Sequence, residues 1–158
     1  MSVEVEIARE AAPDVVAALG RLLPQLSTTA KALDHEAVAR LLAFSSNTVL
    51  IARVQGEIVG TLTLVTFPLP SGLRARIEDV VVDERARGRG VAAALTDRAL
   101  ALARQAGART VDLTSRPSRQ AANRLYERAG FHRRDSIVYR FVLDAAARSG
   151  AFQGLRVQ

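Results

Sequence analysis

A chain of 158 residues with 49% hydrophobic content can bury one core, so we predict a single domain over residues 1–158. The absence of cysteine excludes disulfides and thiolate metal sites. Because the sequence shows neither an apolar signal core nor a membrane-spanning run, we expect a cytoplasmic protein with no metal and no membrane partner. The net charge of +6 favours binding of nucleic acid or of an anionic cofactor. Because only 4% of the residues are aromatic, stacking on bases is disfavoured, and we expect no nucleic-acid partner.

The first half of the sequence predicts a strand, two helices and a hairpin. VEVEIA alternates apolar and polar residues, as a half-buried strand does. Pro13 suits the first turn of the helix PDVVAALGRLLPQL, and Asp34 is the expected N-cap of a second helix, DHEAVARLLAF. NTVLIARV and IVGTLTLVTF, separated by QGE, carry the β-branched residues that hairpin strands favour.

The second half predicts strands that alternate with helices. LRARIEDVVVDE is a strand whose apolar run suits a central position, and VAAALTDRALALARQAG is a helix that ends at Gly107. RTVDLTS is a further strand, followed by the helix PSRQAANRLYERAG, with Pro117 in its first turn and Gly130 at its end. GFHRRD and SIVYRFVLD are the predicted closing strands, and residues 145–158 are a candidate flexible tail.

This order of elements is typical of a mixed α/β (α+β) domain. We predict one central, mixed, mostly antiparallel sheet of about six to seven strands, flanked by about four helices.

The stretch RARGRGVA, residues 85–92, lies between the central strand and a long helix. Gly88 and Gly90 leave the backbone open, the start of the helix adds a partial positive charge, and Arg87 and Arg89 add full charges. The stretch therefore predicts a site for a pyrophosphate. It is not a Walker loop, which requires G-x-x-x-x-G-K-[ST]. It is not the dinucleotide-binding pattern G-x-G-x-x-G either, since Ala93 occupies the third glycine position. The alternative is an ordinary turn with solvated arginines.

Two motifs resemble the GNAT superfamily of N-acetyltransferases. IEDVVVDERARGRGVAAAL is similar to its acetyl-CoA-binding segment, whose signature is Arg/Gln-x-x-Gly-x-Gly/Ala. The signature fits from Arg85 to Gly90 and from Arg87 to Ala92, and we prefer the second register. AANRLYERAGF resembles the helix A/N-x-x-L-Y-x-x-x-G-F of the same family. The resemblance extends from Val49 to Phe141 and implies a GNAT-like domain.

The resemblance implies acetyl-CoA as acyl donor and indicates which residues hold it. The backbone of the central strand would pair with the pantetheine arm, the glycine stretch would hold the pyrophosphate, and Asn123 would contact the pantetheine or the phosphates. The simpler alternatives are core valines and a solvent-facing asparagine. The expected cofactor-binding residues are Val80, Val81, Val82, Arg87, Gly88, Arg89, Gly90, Val91, Ala92, Asn123 and Tyr126.

The resemblance also places the Tyr126 hydroxyl at the cofactor sulfur, where it could protonate the departing thiolate. Reference pKa values of roughly 10 for a phenol and 8.5 for a thiol make that transfer cost only about 2 kcal/mol. Asn123 and Tyr126 lie three residues apart, so they share one face of a helix. The alternative is a half-buried tyrosine whose hydroxyl is satisfied locally.

Glu78 is the candidate general base for the acceptor amine, with Asp79 in reserve. By resemblance an acidic residue at this position faces the acceptor, and burial would raise the pKa of Glu78 towards the working pH. Strand alternation sends the two carboxylates to opposite faces. The alternative is that both are solvated or paired with Arg74 or Arg76.

We therefore predict an acetyl-CoA-dependent N-acetyltransferase in which an amine attacks the thioester directly in a ternary complex, since no cysteine can carry the acetyl group. The acceptor, a small-molecule or peptide amine, stays open. A hexosamine is disfavoured because residues 114–116 lack the acidic residue that glucosamine-6-phosphate N-acetyltransferases carry there. The alternatives are a basic nucleic-acid-binding module and a non-catalytic acyl-CoA sensor. Family analogy implies a homodimer through residues 137–143.

Overall fold

The computed structural model describes residues 2–143, which form a mixed α/β domain with one five-stranded sheet in the order β1-β2-β3-β4-β5. Strands β1 to β4 are antiparallel neighbours, and β5 lies parallel to β4. The prediction of six to seven strands was therefore slightly too high for this part of the chain. The elements are β1 (Val3–Ile7), α1 (Pro13–Leu26), α2 (His35–Ala43), β2 (Asn47–Val54), β3 (Glu57–Leu69), β4 (Gly72–Val82), a 3₁₀ turn (Glu84–Ala86), α3 (Val91–Ala106), β5 (Val111–Asp112) and α4 (Gln120–Ala129).

Local signals account for most helix ends. Asp34 caps α2 by accepting a hydrogen bond of 2.8 Å from the backbone N–H of Ala37, as its position predicts. Gly107 ends α3 in the left-handed conformation, with φ at 82°. The prediction for Pro117 was wrong: it precedes α4 in a turn closed by a 3.0 Å bond from Arg119 N–H to the Arg116 carbonyl. Proline suits the second position of such a turn as well as it suits a helix start.

Two apolar clusters cover the two faces of the sheet. On one face α3 packs against β2, β3 and β4 with Val91, Leu95 and Ala99 buried. On the other face α1 and α2 pack against β2, β3 and the end of β4. The approach of α3 is close enough that a Cβ on Gly60 would lie 2.9 Å from Cγ1 of Val91. The start of α3 is thereby fixed against the sheet.

Beyond β5 the described chain departs from the predicted pattern. Of the predicted strand RTVDLTS only Val111 and Asp112 pair, with Ala75 and Arg76 of β4. Neither predicted closing strand, GFHRRD nor SIVYRFVLD, forms within residues 2–143. Alternating apolar residues record a preference for burial, whereas a strand also requires a neighbouring backbone to pair with. The predicted tail over residues 145–158 lies outside the described residues.

Between residues 2 and 143, no helix combines the length and the apolar character needed to cross a membrane.

Candidate active site

The glycine turn, residues 85–90, is held to the end of β4 by Asp83. This carboxylate is buried, with 5% of the residue exposed. It accepts a 3.1 Å hydrogen bond from the backbone N–H of Arg85 and forms a 3.2 Å ion pair with its guanidinium. Hydrogen bonds from Arg85 lower the pKa of Asp83 below its usual value. Asp83 was not predicted as a site residue, although an aspartate just before a glycine-rich turn is a known turn signal.

Two glycines give the turn its shape. Gly88 and Gly90 have φ values of 77° and 78°, a region that other residues rarely adopt. A Cβ on either would meet nothing within 4 Å, so the space beside the turn is open. Gly90 caps α3 without any side-chain hydrogen bond, so the first N–H groups of α3 lack a side-chain cap. The turn therefore has the open backbone and helix start that an anion site requires.

Arginines surround this turn. Arg87 and Arg89 are exposed. A cavity of about 200 Å³ adjoins the turn and is lined by Arg85, Arg89, Asp83 and Val59, among others. The end of β4 therefore leads to a concave surface beside exposed arginines, whose positive charges could pair with a phosphate.

A β-bulge interrupts β4 at Asp79. Thr61 of β3 pairs with Val81 of β4, and Thr63 pairs with Glu78. Between these two pairs β3 has one residue and β4 has two. Asp79, one of those two, has a φ of 50°. A bulge leaves one residue out of the ladder, so its backbone groups become available to a ligand. No sequence signal marks this position beyond the tolerance of aspartate for positive φ.

The bulge also changes which face of the sheet β4 presents. Ile77 lies in the apolar cluster under α3, whereas Val81 lies in the cluster under α1 and α2. Residues four apart on a regular strand would share one face. The prediction that strict alternation places Glu78 and Asp79 on opposite faces therefore does not apply here.

An opening between β4 and β5 begins where their pairing ends. The last parallel pair is Arg76 with Asp112, and no further pairs follow among the described residues. We call this opening, between residues 78–80 and residues 113–115, the β4–β5 cleft. Arg76 crosses it, donating to Oε1 of Glu78 at 3.1 Å and to Oγ1 of Thr114 at 3.2 Å. The Oγ of Ser115 is buried there without a hydrogen-bond partner in residues 2–143.

The two carboxylates at the cleft have different surroundings. The Glu78 side chain is 50% exposed and paired with Arg76, so the burial that was expected for this carboxylate is not observed. The expected alternative of an ion pair with Arg76 is what the structure shows. Partial burial, together with the negative charge of Glu78, raises the pKa of Asp79. The role of Glu78 as general base stays a prediction.

Tyr126 lies on α4 with 8% of the residue exposed. Its ring packs edge-on against Phe131, with 5.8 Å between the centroids. Burial raises the pKa of Tyr126, and the charge of Arg119 partly opposes that rise. The phenol therefore keeps its proton at neutral pH and could donate it. Asn123, three residues earlier, uses its Nδ2 to donate to the Arg116 carbonyl at 3.1 Å, so it fastens the turn before α4.

Other polar features lie away from the cleft. A larger cavity of about 460 Å³ lies between α1 and the β2–β3 turn and includes no residue of the cleft. Across residues 2–143, no three histidine, aspartate or glutamate side chains converge as metal ligands.

A model of the GNAT acetyltransferase family matches residues 19–131. A putative acetyltransferase from Agrobacterium tumefaciens str. C58 is 25% identical, with a TM-score of 0.77 over 88% of this chain and 99% of that one. A ribosomal-protein-alanine N-acetyltransferase from Brucella melitensis biovar Abortus 2308 is 24% identical, with a TM-score of 0.70 over 89% and 100%. An aminoglycoside acetyltransferase from an uncultured soil metagenomic sample is 19% identical, with a TM-score of 0.78 over 89% and 95%. No curated protein matches the chain.

Proposed function

Because the chain belongs to the GNAT family of acetyltransferases, we propose that it transfers an acetyl group from acetyl-CoA to a primary amine by direct attack in a ternary complex. Family membership itself establishes a transferase that takes its acyl group from acyl-CoA. The observation that carries the proposal is the arrangement along β4. The bulge at Asp79 and the open glycine turn that begins at Arg85 are separated by residues 80–84, of which Val80–Val82 form about 10 Å of extended backbone.

The residues present fit acetyl-CoA. The open turn and the start of α3 suit a pyrophosphate, and the unpaired edge of β4 beyond Arg76 suits the amides of a pantetheine arm. Bound acetyl-CoA would supply a thioester whose carbonyl carbon accepts the amine. A backbone N–H freed by the bulge would donate to the carbonyl oxygen as negative charge develops there.

Two protons must move in this reaction, and the chain has a candidate for each. An amine with a lysine-like pKa of roughly 10.4 costs about 4.6 kcal/mol to deprotonate at pH 7. Glu78 would accept that proton directly or through water, with Asp79 as the alternative base. The buried Tyr126 phenol would donate its proton to the sulfur as the carbon–sulfur bond breaks, and solvent would restore it.

The acceptor belongs to a broad class. Solved relatives of this fold are named for an aminoglycoside and for ribosomal-protein alanine. At the exposed mouth of the cleft Arg76 lies 3.1 Å from Glu78, and we propose that a small-molecule amine or a peptide amine approaches there.

The test is release of free thiol from acetyl-CoA in the presence of a panel of amines, with Tyr126→Phe run beside the natural chain. We expect thiol release that requires one class of amine and falls sharply in the variant. Calorimetric binding of acetyl-CoA without release by any amine would indicate an acyl-CoA sensor. Binding of DNA that weakens steeply with salt, with no binding of acetyl-CoA, would indicate a nucleic-acid module.

A further inference from the structure

The half of β4 before the bulge presents a row of charged side chains on one face of the sheet. Ala75 and Ile77 are buried in the apolar cluster under α3. Because side chains alternate along a regular strand, Arg74, Arg76 and Glu78 lie on the opposite face. The row therefore begins near the turn between β3 and β4 and ends at Glu78, the residue proposed to accept the proton of the amine.

An apolar strip runs beside this row. Val65 and Phe67, the β3 neighbours of Arg76 and Arg74, are partly buried and belong to neither apolar cluster. Among the described residues, the cluster under α1 and α2 includes none from 63 to 78. The face therefore offers an apolar surface for the carbon chain of a ligand, with charged groups alongside it.

The end of the row at the β4–β5 cleft is rich in carboxylates. Arg76 is paired with Glu78 at 3.1 Å, and its sheet neighbour on β5 is Asp112. Asp79 follows Glu78 at the bulge. The charge of Arg76 is thus already balanced, and this end of the row favours a positively charged group such as an ammonium.

The other end of the row is positive. Arg74 donates to Oγ1 of Thr110 at 3.2 Å and to Oγ of Ser71 at 3.3 Å. Arg109 donates to the backbone carbonyl of the same serine, and a Cβ on Gly72 would lie 2.6 Å from its Cδ, so the glycine makes room for it. Neither arginine forms an ion pair within residues 2–143. Two positive charges therefore meet here beside hydroxyl and carbonyl oxygens only.

Arg74 also has a donor that is not used. Its Nε is buried and has no hydrogen-bond partner among the described residues. A buried N–H without an acceptor costs free energy, and most such groups in folded proteins have a partner. Nε and a terminal nitrogen together form the fork with which a guanidinium binds a carboxylate or a phosphate through two parallel hydrogen bonds. Arg74 therefore has the charge and the donors of an anion site.

We propose that the acceptor is an amine that also carries an anionic group, a carboxylate or a phosphate, which Arg74 binds while the amine lies at Glu78. This inference rests on the proposed acetyl transfer, for which it names the class of acceptor. The reaction is unchanged: the amide bond forms at the amine, the thioester bond breaks, and the proton of the amine passes to Glu78. Arg74 and Glu78 lie four positions apart on β4, about 13 Å, so several atoms should separate the amine from the anion.

Matched acceptors test this class with the natural chain. Straight-chain ω-amino acids from glycine to aminooctanoate are each compared with the alkylamine of equal length, and aminopropyl phosphate is compared with propylamine, by release of thiol from acetyl-CoA. We expect a longer anionic amine to exceed its neutral partner at least roughly tenfold in kcat/KM, mainly through a lower KM, and glycine to gain least. The phosphate pair shows which of the two anions is preferred.

Two outcomes would contradict this expectation, and they differ. Equal kcat/KM values within every pair would overturn the anionic acceptor and leave the proposed acetyl transfer standing. No thiol release from any amine, anionic or neutral, would overturn both.

Substitution of Arg74 tests the residue itself. Arg74→Gln keeps a donor for Ser71 and removes the charge and the fork, so the KM for the preferred anionic amine should rise roughly 10- to 100-fold. The kcat/KM for the neutral partner and the Kd for acetyl-CoA should hardly change, which also shows that the variant is folded. Arg74→Lys, which keeps the charge without the fork, should give an intermediate KM.

Arg104→Gln is the matched control, because Arg104 is exposed in the last turn of α3, on the other side of the sheet. It removes the same charge from the chain and should leave the KM for the anionic amine unchanged. If the KM rises no more in Arg74→Gln than in Arg104→Gln, Arg74 does not bind the anion and the proposal is overturned.

Discussion

The two halves of β4 differ in how far the chain itself surrounds them. The half after the bulge leads into a turn held by the buried Asp83, by Gln25, whose Oε1 accepts a 3.1 Å bond from Glu84 N–H, and by the close packing of α3 on Gly60. In the half before the bulge, Glu78 and Asp79 are exposed and β5 is short. The proposed cofactor-binding half is thus preformed, whereas the proposed acceptor half is more exposed.

This comparison predicts that substitutions before the bulge alter the rate of acetyl transfer, whereas substitutions after it alter the affinity for acetyl-CoA. The largest effect is expected for Glu78→Gln, which keeps the size of the side chain and removes its basicity. The kcat/KM near pH 7 should fall by roughly 10²- to 10⁴-fold and partly recover as rising pH supplies free amine. Initial rates of thiol release across pH measure this, and the Kd for acetyl-CoA should hardly change.

Asp79→Asn separates the two carboxylates. Asparagine tolerates positive φ, so the bulge should persist. The raised pKa of Asp79 means that its basic form is lost at a higher pH than the ordinary 3.8. Should Asp79→Asn lower kcat/KM more than Glu78→Gln and remove the acidic limb of the pH profile, Asp79 is the base.

Tyr126→Phe tests the proposed proton donor. The ring and its contact with Phe131 remain while the hydroxyl is lost, so kcat should fall by roughly 10²-fold or more at an unchanged Kd for acetyl-CoA. Tyr139→Phe is the matched control, since the chain has two tyrosines and this one is 82% exposed. A kcat within a factor of two of the natural chain would make Tyr126 structural, unless product release limits turnover.

Gly90 lies in the turn that follows β4, and Gly90→Ala tests whether this glycine turn binds acetyl-CoA. A Cβ there occupies open space beside the first N–H groups of α3, so acetyl-CoA should bind roughly 10- to 100-fold more weakly by calorimetry, the scale of one or two lost charge-assisted hydrogen bonds. The φ of 78° also makes any side chain at Gly90 cost stability, roughly 1–2 kcal/mol. We therefore expect any substitution at Gly90 to lower stability as well.

Gly107→Ala supplies the control for that cost. Gly107 ends the same helix with a φ of 82°, and a Cβ there also meets nothing within 4 Å. Both variants should lose similar stability, but only Gly90→Ala should weaken acetyl-CoA. Equal Kd values for the two would remove the turn from the cofactor site.

The smallest effect is expected for Asp83→Asn, which keeps the turn hydrogen bond and removes the charge that pairs with Arg85. The pKa of Asp83 is lower in the folded chain than its ordinary 3.8. Its contribution to the free energy of unfolding is therefore present above about pH 4 and lost as pH falls through the folded value. Since Arg85 is 75% exposed, we expect a Tm lower by a few degrees at most at pH 7.

Urea unfolding of the natural chain and of Asp83→Asn from pH 7 to pH 3 measures this difference, which should shrink as pH falls below about 4. Asp34→Asn keeps an oxygen at the α2 N-cap and serves as control. A stability gap that persists unchanged to pH 3 would assign the effect to packing instead of charge.

The sequence by itself determined the elements whose signals are local. Pro13 and Asp34 mark helix starts and Gly107 a helix end, because caps and φ preferences act within one turn of the chain. The glycine turn was predictable for the same reason, since the strand, the two glycines and the helix follow one another directly in the chain. The GNAT family followed from two motifs of this kind.

Only the tertiary structure decided the rest. The bulge at Asp79 depends on the register between β3 and β4. It places Ile77 and Val81 on opposite faces of the sheet. The alternation of residues along one strand does not specify the register of its partner. Residues 137–143 have the composition of a strand and yet pair with no strand among residues 2–143, because a strand depends on an edge that its own sequence does not specify.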